Sequence, residues 1–314
     1  MTAATLPKTN LHLHLTGAMR PATLAELAAR DGLRLPPAFA AGTVHEWPAF
    51  QERYDLARAA IRGPADIARV VVEAATDDAA CGAGWIELQI DPTSYAPVAG
   101  GLAGAVEAAL AGAARAPIPM GLVVAASWAA DPAHALRLAT LAAAYAGKGV
   151  VGFGLSNDER LGTVESMVPA CRVAADAGLR IVPHAGFYTP PAHVADCVRL
   201  LGAHRIGHGL AAMRDPATQE LLAARGVALE VCPTSYPPLG VATIGDLPIA
   251  ALRAAGVPVA LGTDDPLLFG ADLTTQYELV TTDPAAQADL ARCAIDASAA
   301  PAPLKATLLA GVTG

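Results

Sequence analysis

The chain has 314 residues, of which 54% are hydrophobic and 16% charged, with a formal net charge of −8. That length can bury a sizeable core, and with this acidic balance no basic face for nucleic acid or anionic lipid is apparent, leaving small molecules or copies of itself as the expected partners. Five scattered cysteines without Cys-x-x-Cys spacing read as reduced, buried thiols, and polar residues or proline interrupt every long apolar run, so a cytoplasmic protein that does not span a membrane is expected.

Short runs rich in Val, Ile and Leu recur along the chain at Asn10–Leu15, Trp85–Asp91, Met120–Ala126, Val150–Leu155, Arg180–His184, Arg205–His208, Ala228–Cys232 and Pro258–Thr263. Between them lie Ala-, Leu- and Glu-rich segments with helix punctuation: Pro21 and Gly32, Asp131-Pro132 and Gly147, Asp215-Pro216 and Gly226, and a closing Gly256. Eight alternations of strand and helix predict parallel strands joined by right-handed crossovers, which close into a (β/α)8 TIM barrel. One such barrel accounts for residues 1–314. The stretch 22–84 exceeds one crossover and is read as a helical insertion after the first strand. Its segment Trp47-Pro48-Ala49-Phe50-Gln51-Glu52-Arg53-Tyr54 is either a lid over the barrel mouth or an extra helix on its side.

In this architecture the active site lies where strands give way to the following loops. His12, His14, Thr16, Asn157, Asp158, Glu159, His184, His208, Thr234, Ser235, Asp264 and Asp265 all fall at such ends. In Leu11-His12-Leu13-His14-Leu15 the two histidines are two residues apart, so on a strand they face the same side and can reach one cation. His12, His14, His184 and Asp264 make a three-imidazole, one-carboxylate set suited to one Zn2+ per chain, which would lower the pKa of a bound water. His208, flanked by glycines, is a fifth ligand or a base for that water. Asp265 follows a proposed ligand and points elsewhere, toward substrate or the attacking water, unless it is only a helix N-cap before Pro266. His45, His134, His193 and His204 are read as surface residues, and Cys232 as packing.

Taken together, the segments Leu6-Pro7-Lys8, Leu11-His12-Leu13-His14-Leu15-Thr16-Gly17, Pro183-His184-Ala185-Gly186, Arg205-Ile206-Gly207-His208-Gly209, Glu230-Val231-Cys232-Pro233-Thr234-Ser235 and Gly262-Thr263-Asp264-Asp265-Pro266 resemble the adenosine deaminase family of metal-dependent hydrolases. The resemblance implies a (β/α)8 barrel, zinc on His12, His14, His184 and Asp264, His208 assisting the water, and Asp265 contacting the purine or the attacking hydroxide. Departures gather at the expected substrate pocket. Where members carry a glutamate that protonates the purine ring, this chain has Phe187; the purine-contacting glycine aligns with Asn157, the acidic residue after His-x-His-Leu with Thr16, and an arginine of the second strand with Gln89. Thr16, Gln89, Asn157, Phe187 and Tyr188 are therefore the candidate substrate-binding residues. Tyr188 and Glu159 are candidates for the missing acid. Three functions follow as expectations: deamination of an amino-substituted heterocycle or nucleoside-like substrate other than adenosine, hydrolysis of an amide, lactam or lactone, or ligand capture without turnover. The oligomeric state is left open.

Overall fold

The computed structural model describes residues 2–35 and 42–312. Eight strands form one sheet in sequence order: β1 Lys8–His14, β2 Ala83–Ile90, β3 Met120–Ser127, β4 Val150–Ser156, β5 Arg180–Ala185, β6 Arg205–His208, β7 Ala228–Val231 and β8 Val259–Leu261. All seven neighbouring pairs are parallel. The ring is completed by a parallel bridge between Leu13 and Asp264, where the His14 amide donates to the Asp264 carbonyl at 3.1 Å. The expected barrel is present, and its closing bridge lies among the candidate ligands.

Among the described residues there are fourteen α-helices, ten between the strands and four after β8. They are α1 Pro21–Arg30, α2 Trp47–Ala59, α3 Pro64–Ala80, α4 Ala96–Ala99, α5 Leu102–Ala113, α6 Pro132–Ala144, α7 Val164–Asp176, α8 Pro191–Asp196, α9 Pro216–Arg225, α10 Ile249–Ala254, α11 Pro266–Phe269, α12 Leu273–Val280, α13 Pro284–Ala297 and α14 Ala302–Gly311. Proline at the first turn opens most of them, where its missing N–H costs nothing. The side chains of Asp131, Asp215 and Asp283 cap their helices by accepting backbone N–H bonds. Gly226 ends α9 in the left-handed conformation.

The strands are buried on both faces, which is why they read as nearly continuous apolar runs rather than alternating ones. The long connection between β1 and β2 holds α1, α2 and α3. Helix α3 packs on α5 and β2 in the outer ring through Ile67, Val70, Val71, Ala74 and Ala75. Helix α2 instead crosses the mouth of the barrel. Among the described residues no helix is long and apolar enough to cross a membrane.

Candidate active site

The expected ligands converge at the carboxyl ends of β1, β5 and β8. The Nε2 atoms of His14 and His184 lie 3.1 Å apart, His14 Nε2 is 3.3 Å from Asp264 Oδ1, and His12 Nε2 is 3.5 Å from the same oxygen. A tetrahedral zinc with ligands at about 2.0–2.1 Å has neighbouring ligand atoms roughly 3.3 Å apart, so the spacing fits such an ion. Chemistry agrees with geometry. His12 Nε2 is buried and makes no hydrogen bond among the described residues. His184 Nδ1 donates to the Leu155 carbonyl at 2.9 Å and His12 Nδ1 lies 2.8 Å from Glu230 Oε2, which leaves the Nε2 lone pairs of both facing the centre. Gln89 stands 3.4 Å from His14 Nδ1; with its carbonyl oxygen turned toward that nitrogen it accepts Nδ1–H and frees the third Nε2.

Local backbone explains how so many rings fit. Gly207 of β6 has no side chain where a Cβ would lie 3.0 Å from His12 Cε1 and 3.1 Å from His184 Cγ. The only non-glycine residues with positive φ among those described are Asn157 (72°), His208 (65°) and Asp264 (58°), at the ends of β4, β6 and β8. Such conformations cost of order 1–3 kcal/mol each and persist where their surroundings enforce them, commonly at functional sites.

Electrostatics divide the cluster. Burial opposes charge on His12, yet with no cation at the centre the carboxylates of Asp264 and Glu230 outweigh it and raise the imidazole to about 10; a metal ion at Nε2 would take the place of that proton. Burial, with His12 and His14 adding to it, pushes His208 down to about 3. Burial likewise holds His184 well below its ordinary value. Asp265, buried beside the charge of Asp264, is pushed well above the usual carboxylate range, and its Oδ1 has no partner among the described residues. His208 Nε2 lies 4.0 Å from Asp264 Oδ2, within reach of anything held at the centre.

A cavity opens over this cluster, walled by Gln89, Asn157, Phe187, Tyr188 and Asp265 and roofed by α2. Trp47, Phe50, Gln51, Tyr54 and Arg58 face it at helical spacing. Trp47 meets Tyr188 edge-on at 6.0 Å, and Phe50 stacks on Phe269 with rings 5.6 Å apart and 1° from parallel. Phe187 sets its ring edge-on to His208 at 4.7 Å.

Several expectations need correction. Thr16 does not line the cavity: it is fully buried behind the wall, its hydroxyl 2.5 Å from that of Tyr95, because the turn after β1 points it toward the β2 side. Glu159 lines the cavity but is half committed as a loop anchor, its Oε1 accepting from Tyr188 N at 2.6 Å, Thr189 N at 2.7 Å and Thr189 Oγ1 at 2.8 Å, while its buried Oε2 has no partner among the described residues. Thr234 and Ser235 brace their own loop through Gln276 and the Cys232 carbonyl. His193 is not a surface residue; half-buried against Trp128, it sits 2.6 Å from Thr189 Oγ1. The charged trio Glu87, Arg205 and Glu230 was missed. An ionisable side chain in the middle of an apolar strand, as in Ala-Leu-Glu-Val, is the signal that could have found it.

The barrel and this strand-end cluster define an amidohydrolase-type fold. Residues 7–314 match the family described as adenosine deaminase, and the chain belongs to that family. A relative from Streptomyces virginiae, provisionally named an adenosine/adenine deaminase, is 47% identical over 98% of this chain and 96% of its own. The aminodeoxyfutalosine deaminase of Acidothermus cellulolyticus is 35% identical over 87% of this chain and 82% of its own. Among solved structures, an adenine deaminase from Arthrobacter aurescens superposes with a TM-score of 0.85 at 27% identity, covering 98% of both chains. An amidohydrolase from Burkholderia ambifaria with bound zinc does so at 0.88 and 27%, covering 99% of this chain and 92% of that one.

Proposed function

We propose that this protein is a zinc-dependent deaminase that releases ammonia from an amino-substituted heterocycle, or a nucleoside-like molecule carrying one, other than adenosine. The observation that carries the proposal is the convergence of three imidazole nitrogens and one carboxylate, at tetrahedral spacing, on the floor of an aromatic-roofed cavity. The names of these relatives, an adenosine/adenine deaminase, an aminodeoxyfutalosine deaminase and an adenine deaminase, support the same reading.

In this reading His12, His14, His184 and Asp264 would hold one zinc ion, which when bound would supply the Lewis acidity that lowers the pKa of water toward neutral. The residues around it handle protons and orientation. His208, kept neutral by burial, accepts a proton at Nε2, the nitrogen facing Asp264. Asp265, at the cavity wall with its carboxyl pushed above the usual carboxylate range by burial and by Asp264, would contact the heterocycle or the attacking hydroxide. Phe187 and Tyr188 form a flat wall for the heterocycle, with Gln89 and Asn157 as polar contacts. Helix α2 excludes water from above, and as a lid it would move to admit substrate.

The test is ammonia release from a panel of purines, pterins and pyrimidines, with the zinc content of the same preparation measured by elemental analysis. About one zinc per chain and ammonia from at least one free base or nucleoside-like compound is the expected result. A zinc-loaded preparation that releases none would overturn the reading. Phe187 favours a second one, since an apolar ring cannot donate a proton to a heterocycle but suits a carbonyl substrate: hydrolysis of an amide, lactam or lactone, visible as product without ammonia.

A further inference from the structure

The barrel interior below the candidate ligands is charged. Glu87 on β2, Arg205 at the start of β6 and Glu230 on β7 are each at most 1% exposed. Arg205 Nη2 donates to Glu87 Oε2 at 2.5 Å, its Nε donates to Glu230 Oε1 at 2.5 Å, and its Nη1 donates to the Ala297 carbonyl at 3.1 Å. Each carboxylate spends one oxygen on the guanidinium and the other elsewhere. Glu87 Oε1 accepts from Trp85 Nε1 at 3.0 Å and from the Ala299 amide at 2.6 Å. Glu230 Oε2 faces His12 Nδ1 at 2.8 Å.

Such a layer is ordinarily filled by branched aliphatic side chains. A buried ion triad adds little stability over well-packed apolar residues of the same volume, so stability alone gives a poor reason for three charges here. The second oxygen of Glu230 has a definite use: it engages His12 Nδ1 and so turns Nε2 toward Asp264 and His14. That oxygen is held in place only if Glu230 cannot rotate, and the fork of Arg205, itself pinned between Glu87 and the carboxyl end of α13, prevents rotation.

We propose that Arg205, braced by Glu87 and acting through Glu230, is a positioning residue for the cation site, fixing which nitrogen of His12 faces the ion. This rests on the zinc reading above. Lysine at 205 keeps the charge but replaces a planar fork by a single point, and cannot hold two carboxylates and a carbonyl in the same geometry.

The test uses the full chain, stripped with chelator and titrated with zinc against a chromophoric competitor. In R205K the zinc dissociation constant is expected to rise about 10–100-fold, the usual range for loss of such a partner. The visible band of the cobalt(II)-loaded protein should shift or weaken, because the first ligand sits differently. E87Q, which keeps its shape and the bonds to Trp85 and Ala299, is expected to weaken zinc binding roughly tenfold and carries the test if R205K does not fold. A lower unfolding temperature of the metal-free variants, with zinc affinity and cobalt spectrum equal to the parent, would mean a structural role only and overturn the proposal. A parent chain that takes up neither metal would bring down the zinc reading and this proposal together; a parent that binds and variants that bind equally well would bring down this one alone.

Discussion

Replacing Gly17 by alanine separates the proposed reaction machinery from the candidate metal site. A Cβ at position 17 would stand 1.8 Å from Asp265 Oδ1 and 2.5 Å from its Cβ and Cγ. An ordinary contact needs about 3.5 Å, so the carboxyl must move by roughly 1.5 Å. It has no easy retreat: the Leu267 amide bonds the Gly17 carbonyl at 2.8 Å, so the turn and the start of α11 shift together or not at all. Misplacing a catalytic group by about 1 Å can cost about 10²-fold, equivalent to about 2.7 kcal/mol of barrier. The expected result for Gly17→Ala is therefore a fall in kcat/KM of about 10² or more on whichever substrate the ammonia assay identifies. Zinc affinity should stay within about twofold of the parent, because Asp265 lies outside the spacing-matched set. Ammonia release by a coupled assay and zinc competition on the same samples measure both. Retention of at least a third of the parent activity would show that Asp265 does not touch the reacting atoms.

Three further outcomes are expected. Adenosine turnover by the parent should be very low, and Phe187→Glu should raise it by about 10²-fold if a general acid is what the pocket lacks, measured as ammonia release; no gain would show that the walls exclude a nucleoside. At Asn157, whose φ is 72°, glycine should leave stability nearly unchanged, whereas valine should cost about 1–3 kcal/mol in urea unfolding. Burial raises Asp78 to about 7, so folding favours its protonated form; the associated stability is full below the ordinary carboxylate value and declines as pH rises to about 7. Asp78→Asn should remove that decline, matching the parent near pH 4 and exceeding it at pH 8 in thermal unfolding.

The eight strands were legible because parallel strands buried on both faces leave unbroken Val, Ile and Leu runs bounded by turn residues. The candidate ligand cluster was legible for a related reason: histidine and aspartate at the ends of such runs have nothing to do in a core. What sequence could not assign was the direction of short polar side chains in the turns. Thr16 stands beside pocket residues in sequence yet bonds Tyr95 behind the wall, and Glu159, at the cavity wall, spends one oxygen on tying down residues 188 and 189. Whether Trp47–Ala59 roofs the barrel or packs on its side is set by tertiary contacts to Tyr188 and Phe269, which lie more than 130 positions away. Glu230 and Arg205 stand inside the motif segments, but their linkage with Glu87 joins three strands and has no periodicity to reveal it.

The roof of the cavity is carried by one helix between β1 and β2, while the ligands below come from strand ends elsewhere. Exchanging Trp47, Gln51, Tyr54 or Arg58 therefore reshapes what enters without moving a ligand. For evolution this is a division of labour that lets selectivity wander while the reactive floor stays fixed. For engineering, it makes a library confined to α2 the economical way to retarget the enzyme.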